Sequence, residues 1–356
     1  MEELRAYLEE HGQGHVFEAF PDLTADSNLA KQLQSYDIPL VLANYKKAKV
    51  QSNNSASVIP VKQVYNTEDP IRRNHWESLG NDAILKSKVA TVILSGGQGT
   101  RLGFDGPKGM YDIGLPSKKT IFEIHIEKVN KIRRLVAEKF RSSDIPSIPI
   151  YIMTSDLNDK IIKDFFLENE YFGYPHEDIY FFEQGLEPCL SLEGKIIIES
   201  PSAMALSPDG NGGIYSALAS TGALADMERR GIEHLHVYGI DNVLTKAADP
   251  LFLGVCIADG AQCGNKIVWR TNEAEKVGVT VELEGKMMVI EYSEIPKSLA
   301  EAVDTTTGKL LFGAANICNH YFSFAFVKEL IPNLARIYHL AEKKIPFYNP
   351  VTTLNT

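Results

Sequence analysis

The chain has 356 residues, of which 44% are hydrophobic, 23% charged and 9% aromatic, the proportions of an ordinary globular protein. At ~150 residues per domain this predicts about two domains, with enough chain to bury real cores. Lys and Arg number 36 against 46 Asp and Glu, a formal net charge of −10, which argues against general binding to nucleic acid or an anionic membrane but leaves room for one local cationic pocket.

The opening MEELRAYLEEHGQG carries acids where a signal peptide needs a basic start and an apolar stretch, and no apolar run approaches the ~18 residues of a membrane span. Residues 1 to 88 read as a polar, helical region: Leu4, Leu8 and His11 keep helical spacing, as do Leu29, Leu33 and Tyr36 before Pro39. Gln51 to Pro60 is a polar, turn-rich break that predicts a loop. Four scattered cysteines, Cys189, Cys256, Cys263 and Cys318, suit neither a disulfide framework nor a Cys-x-x-Cys zinc site. A reduced, cytoplasmic setting is the expectation, and the sequon at Asn53 is then idle.

From residue 89 the texture changes. Strands are predicted at Val89–Leu94, Ile148–Met153, Ile179–Phe182, His234–Ile240 and Lys266–Trp269. Helices are predicted at Thr120–Phe140, Asp159–Glu168, Gly213–Arg230 and Asp249–Asp259. Strands alternating with helices imply a mostly parallel sheet covered on both faces. Gly278–Glu284 and Met287–Tyr292 flank Gly285 as a hairpin, so the sheet is expected to be mixed. Such sheets bind ligands beyond the carboxyl ends of their strands, which points to the loops after Leu94, Met153, Phe182 and Ile240.

The first of those loops is Ser95-Gly96-Gly97-Gln98-Gly99-Thr100-Arg101-Leu102-Gly103. Closely spaced glycines let backbone N–H groups approach an anion or a flat base. A Walker loop fails for want of Lys-Ser/Thr after the glycines. A dinucleotide fingerprint fails because Gly97, Gly99 and Gly103 are spaced Gly-x-Gly-x-x-x-Gly. What remains is a glycine loop carrying Arg101, followed by Pro107-Lys108-Gly109, and two cations in one loop suit a triphosphate that loses pyrophosphate. A tight strand-to-turn connection with Arg101 and Lys108 facing water stays equally open on these residues alone.

Leu94 to Gly103, together with Gly106-Pro-Lys-Gly-Met-Tyr-Asp-Ile-Gly-Leu-Pro-Ser117, resembles the signature of eukaryotic UDP-N-acetylhexosamine pyrophosphorylases. Gln98 and the Pro-Lys-Gly-Met-Tyr run set it apart from the UDP-glucose branch. The resemblance continues through Tyr151–Ser155, Phe181–Gly185, Pro208–Gly213, Val237–Asn242, Val289–Glu294 and Asn316–His320. It implies a Rossmann-like α/β nucleotidyltransferase core with a mixed, mostly parallel sheet at 89–345, a helical region at 1–88 and an incomplete C-terminal domain beginning at 346–356. The implied activity joins UTP and N-acetylglucosamine 1-phosphate, reversibly, into UDP-N-acetylglucosamine and pyrophosphate. It further implies Mg²⁺ as cofactor; from the charge balance no nucleic-acid or membrane partner is expected, and a monomer is expected.

By this resemblance Gly96 and Gly97 contact uracil through their backbone, and Arg101 and Lys108 hold the triphosphate. Gln184 reads the base, since a side-chain amide offers a donor and an acceptor to the O4/N3 edge; without the motif it would be a solvent-facing loop glutamine. Gly210 and Asn211 contact the sugar, although Asn211 as a simple helix cap is a reasonable alternative. Asp241 ends an apolar strand at the sheet's carboxyl edge, and one carboxylate with phosphate oxygens is a usual Mg²⁺ pattern; the plain alternative is a strand-end turn. Glu291 and Asn316 are implied as sugar-hydroxyl contacts, with the polar face of a strand as the other reading of Glu291. The histidines form no zinc pattern, and His320 reads as structural.

Two departures from the family pattern stand out. The sequence ends at Asn355-Thr356 before the family's Pro-Asn-Gly-x-Lys segment, whose lysine contacts the phosphates, so a chain that stops early is expected. Gly313-Ala314-Ala315-Asn316 also differs at two positions from the usual Asn-Ala-Gly-Asn. The competing functions are a UDP-glucose or broad UDP-sugar pyrophosphorylase, and a nucleotide-sugar binding protein weak in catalysis.

Overall fold

A computed structural model describes residues 1–51, 58–62, 64–334, 340 and 342–348, with the backbone alone at Val50, Gln51, Arg101 and Asn333. By internal contacts the chain divides into one unit of residues 1–54, 186–209 and 335–356 and another of 55–185 and 210–334.

The chain opens with helices α1 (Glu2–Glu10), α2 (His15–Ala19), α3 (Asn28–Ser35) and α4 (Ile38–Gln51). The Ser27 hydroxyl caps α3 by accepting from the Ala30 N–H at 3.2 Å, and the Asp37 carboxylate accepts from the Leu40 N–H at 3.0 Å at the start of α4. Pro39 therefore sits in a first helical turn, where its missing N–H removes no helical bond. Leu4, Leu8, Leu29, Leu33 and Ile38 pack with Ile196, Ile198 and Met204 of the same unit.

The second unit starts with β1 (Ile59–Pro60) and α5 (Pro70–Leu85). The expected loop over 51–60 departs at its end, because Ile59 and Pro60 pair with Glu282 and Val281. Residues 52–57, with the sequon, lie outside the described residues. Next come β2 (Val89–Leu94), α6 (Ile121–Lys139), β3 (Ile150–Thr154), α7 (Asp159–Glu168) and β4 (Ile179–Glu183), each within two residues of its sequence-based bounds. The first unit then takes the chain for β5 (Leu186–Pro188), β6 (Ile198–Ser200), β7 (Ala203–Met204) and β8 (Leu206–Pro208).

Back in the second unit, α8 (Ile214–Ser220) and α9 (Ala223–Arg229) replace the single helix expected over 213–230. The break is at Gly222, whose φ of +83° is left-handed and ends a helix at little cost. The preceding Thr221 hydroxyl turns back to the Ala217 carbonyl at 2.7 Å. Asn211 does not cap α8, whose cap position is Gly213. The remaining elements are β9 (His234–Gly239), α10 (Pro250–Ala258), β10 (Cys263–Trp269), β11 (Val279–Leu283), β12 (Lys286–Ile290), α11 (Lys297–Ala300), β13 (Ala314–Ser323) and α12 (Phe324–Leu330). The expected hairpin is β11–β12, turned by Glu284 and Gly285 at φ of +50° and +76°, the two left-handed positions that a tight hairpin needs.

These strands form one nine-stranded sheet in the order β1-β11-β13-β9-β2-β3-β4, with β10 also on β13 and β12 on β11. The run β9-β2-β3-β4 is parallel, and the antiparallel strands extend it beyond β9. Val89 and Ile93 of β2 face one core with α6 and α10, while Ala90, Val92 and Leu94 face another with α8, α9 and α12. Burial on both faces is why β2 reads as an unbroken apolar run. From β2 the chain steps outward to β3 and β4 but returns to β9 on β2's other side, so the order reverses between β2 and β9. Ligand crevices form at such a reversal.

Candidate active site

The loop after β2 is folded back on itself. The Gly99 N–H donates to the Gly106 carbonyl at 2.8 Å, and Gln98 bridges Pro107. Its glycines have specific neighbours. A Cβ on Gly96 would lie 2.2 Å from Gln184 Nε2, and one on Gly97 would lie 3.6 Å from Lys108 Cε. Gln184 is buried, and its N–H is held by the Thr154 carbonyl at 3.0 Å. The Ser155 hydroxyl donates to the Gly96 carbonyl at 3.0 Å, and Asn158, also buried, accepts from the Ser155 N–H at 2.8 Å. The glycine loop is thus tied to the end of β3, with the Gln184 amide packed against Gly96.

Lys108 reaches across the reversal point. Its N–H donates to the Gly97 carbonyl at 3.2 Å, and its Nζ lies 3.2 Å from Asp241 Oδ2. Asp241 follows β9 at the carboxyl edge, as expected, and its side chain is 60% exposed. Its backbone lies in the turn that directly follows β9, and the exposed carboxylate is open to a ligand. Arg101 lies in a short 3₁₀ turn, Thr100–Leu102; its side chain is outside the described residues.

The sugar candidates gather on the other side of Asp241. Cys318 lies between them in a bulge of β13, at a left-handed φ of +51°, where the pairing with β10 slips between Asn265 and Ile267. Its N–H donates to the Asn316 Oδ1 at 3.2 Å, and its sulfur lies 4.0 Å from Asn211 Nδ2. Burial, and next the nearby Asp241 charge, push the thiol's pKa up to about 11, so Cys318 is a neutral thiol and no nucleophile at neutral pH. The Asn316 N–H donates to the Gly278 carbonyl at 2.8 Å, and a Cβ on Gly278 would come within 3.3 Å of Glu291 Oε1. Gly210, at a φ of +75°, faces open space. Glu291 lies one residue past the end of β12, off the strand face on which its alternation with apolar neighbours would place it.

Gln184, Gly96, Gly97, Lys108, Asp241, Asn211, Asn316 and Glu291 therefore form a continuous strip along the sheet's carboxyl edge. Cys318 and Gly278 complete it and were not marked as site residues by the sequence. Cys318 sits inside a motif block and Gly278 at the start of an expected strand, but a lone thiol and a small residue carry no chemical flag until the strands are paired. His236 and His320 are held in structural pairs. Buried His236 pairs with Asn319 at 2.8 Å and accepts from the Ala248 N–H at 3.0 Å, and His320 pairs with Asn265 at 2.6 Å. Among the described residues no group of three His, Cys, Asp or Glu could by itself hold a metal, and no helix is long and apolar enough to cross a membrane.

The family model described as UTP–glucose-1-phosphate uridylyltransferase matches residues 37–351. A probable UDP-N-acetylglucosamine pyrophosphorylase of Schizosaccharomyces pombe is 39% identical over 97% of this chain and 74% of its own length. The chain belongs to the UDP-N-acetylglucosamine pyrophosphorylase family. UDP-N-acetylglucosamine diphosphorylase 1 of Arabidopsis thaliana is 38% identical over 97% of this chain and 71% of its own. Among solved structures of this family, the uridine diphosphate N-acetylglucosamine pyrophosphorylase from Trypanosoma brucei, in complex with inhibitor, superposes with a TM-score of 0.82 at 31% identity. It covers 96% of this chain and 70% of that one. The expected family and Rossmann-like core are thereby borne out.

Proposed function

We propose that this chain is a uridylyltransferase that joins UTP and N-acetylglucosamine 1-phosphate, reversibly, into UDP-N-acetylglucosamine and pyrophosphate. The observation that carries this reading is the Lys108–Asp241 pair, 3.2 Å apart across the strand reversal, with Gln184 and Gly96 to one side and Asn211, Asn316 and Glu291 to the other. Base, triphosphate and sugar ends of one extended ligand have matching chemistry along that strip. Family members named for N-acetylglucosamine stand at 38–39% identity, which supports the amino-sugar substrate over glucose.

A phosphate oxygen of the sugar phosphate attacks the α-phosphorus of UTP, a new P–O bond forms, and the bond to the β-phosphate oxygen breaks as pyrophosphate departs. The protein's work is positioning and charge neutralisation. Gln184 offers its amide to the uracil edge while the bare Gly96 and Gly97 backbone lets the base lie close. Lys108 and Arg101 neutralise the triphosphate. Asn316, its Oδ1 engaged by the Cys318 N–H, turns its NH₂ donors outward to the sugar, and Glu291 accepts from hydroxyls.

Mg²⁺ needs one or two carboxylates and completes its shell with phosphate oxygens and water. Asp241, exposed and alone at the sheet edge, fits that demand, and Lys108 is its counter-ion when no ligand is bound. When present, the ion would supply further neutralisation of phosphate charge. The net charge of −10 disfavours general association with nucleic acid or anionic membranes.

The test is pyrophosphate release from UTP with N-acetylglucosamine, N-acetylgalactosamine or glucose 1-phosphate. Release with the N-acetylated sugars well above glucose is expected. A preference for glucose 1-phosphate would overturn the substrate, and no release with any sugar would overturn the enzyme.

A further inference from the structure

We propose that helix α6 sets the spacing between Lys108 and Asp241, with Lys128 and His125 as positioning residues for the loop that carries Asp241. The inference rests on the metal and phosphate roles assigned above to that pair.

The two partners come from loops on opposite sides of the strand reversal, and α6 touches both. At its first turn the Ile121 N–H donates to the Tyr111 carbonyl at 3.1 Å. The Phe122 ring lies so close under the Lys108 loop that a Cβ on Gly109 would meet it at 2.2 Å. One turn on, buried His125 places Nε2 3.0 Å from the Ile240 carbonyl, the peptide immediately before Asp241. A carbonyl can only accept, so Nε2 carries the proton. Burial drives the ring's pKa down to about 4, and the neutral tautomer persists at working pH. A further turn on, the Lys128 ammonium donates to the Val243 carbonyl and, at 3.1 Å, to the Thr245 carbonyl. Phe122, His125 and Lys128 follow one another at three-residue spacing, so they share a helix face.

The Asp241 loop needs such a brace. Its own turns use the Asn242 N–H on Gly239 and the Val243 N–H on Asp241, leaving the carbonyls of Ile240, Val243 and Thr245 to be satisfied by α6. Lys128 is half-buried and spends its charge on two neutral carbonyls. Charge-assisted bonds of this kind are about twice as strong as neutral ones, and outer partners that orient a metal ligand commonly affect metal affinity by about tenfold or more.

The test is direct Mn²⁺ binding to the UTP-loaded full chain, followed by electron paramagnetic resonance, for wild type, Lys128→Met, Lys128→Arg and Asp241→Asn. Positioning predicts that K128M weakens Mn²⁺ binding about tenfold while K128R stays within about threefold, with the KM for N-acetylglucosamine 1-phosphate unchanged. Removing a cation near a cation site would, by loss of like-charge repulsion alone, tighten binding, so the sign separates positioning from simple charge. Should K128M not fold, Lys128→Gln, which replaces the ammonium by a neutral amide on a shorter stem, must also weaken Mn²⁺. Unchanged or tighter binding in a folded Lys128 variant, with D241N impaired, overturns the proposal. Unchanged binding in D241N instead overturns the metal role of Asp241 itself, and this inference with it.

Discussion

Gly96→Ala tests the base pocket with one methyl group. Gly96 is not in a left-handed conformation, so alanine brings no backbone strain there. The new Cβ would instead lie 2.2 Å from Gln184 Nε2, 2.9 Å from its Cδ and 3.3 Å from its Oε1. These atoms end a flexible side chain, so the fold can yield by moving the amide rather than the backbone. Gln184 is buried, however, and an amide pushed aside no longer presents its donor and acceptor to uracil. Two such hydrogen bonds are worth about 1–3 kcal/mol net, which translates into a rise in the KM for UTP of between roughly fivefold and a hundredfold. The melting temperature should fall by no more than about 3 °C. Gln184→Ala should produce a similar loss, and the double variant little more, because both remove the same contact. Steady-state kinetics with UTP varied, beside a thermal melt, decide the matter. A folded G96A enzyme whose UTP KM stays within about twofold of wild type would refute the assignment of Gln184 to the base.

Asp241→Asn keeps the shape but removes the charge opposite Lys108, and turnover should fall by about a hundredfold or more; full activity at low Mg²⁺ would sink the metal role. Gly254→Ala probes the fold alone: a Cβ there would lie 1.7 Å from the Trp76 carbonyl oxygen where α10 crosses α5, and the reciprocal Gly80 faces the Pro250 carbonyl at 1.9 Å. Backbone cannot yield as a side chain can, so overpacking should cost about 1–3 kcal/mol and lower the melting temperature by roughly 5 °C, with KM values unchanged in the folded fraction. Burial pushes His125 and His236 down to about 4. Between pH 6.5 and 4 the unfolded chain therefore binds protons that the folded chain does not, and stability must decline as pH falls through that window. Chemical denaturation at several pH values should show this slope, and His236→Gln should lessen it; a slope identical to wild type would contradict the histidine's neutral state.

Much of the catalytic unit was legible because it is locally encoded. Val89–Leu94 is buried on both faces and so reads as one apolar run. The helix expected over Asp249–Asp259 forms as α10, where Asp249 accepts from a first-turn N–H group. The glycine loop, Lys108, Gln184 and Asp241 were legible through a motif and a strand-end position, and the structure brings these together. Less was legible where neighbours decide. Ala314–Ser323 contains two asparagines and no clear alternation, yet it becomes a ten-residue strand because β9, β10 and β11 all offer it edges. The break at Gly222 was hidden because one glycine inside a helical pattern is usually tolerated.

The sequence by itself determined the parallel strands and most of the helices around them, which loops lie at strand ends, and which residue types could meet a nucleotide and a sugar. Periodicity, caps and short motifs act within a few residues, and they are written in order along the chain. The tertiary structure alone decided that Lys108 faces Asp241, that Gly96 must be bare because Gln184 lies on it, and that Cys318 and Gly278 lie beside Asn211, Asn316 and Glu291. It also decided that α6 braces both flanks of the crevice. Those facts depend on strand order and on which loops are brought side by side, and the reversal between β2 and β9 joins residues 133 positions apart. Local rules have no means to count across that distance.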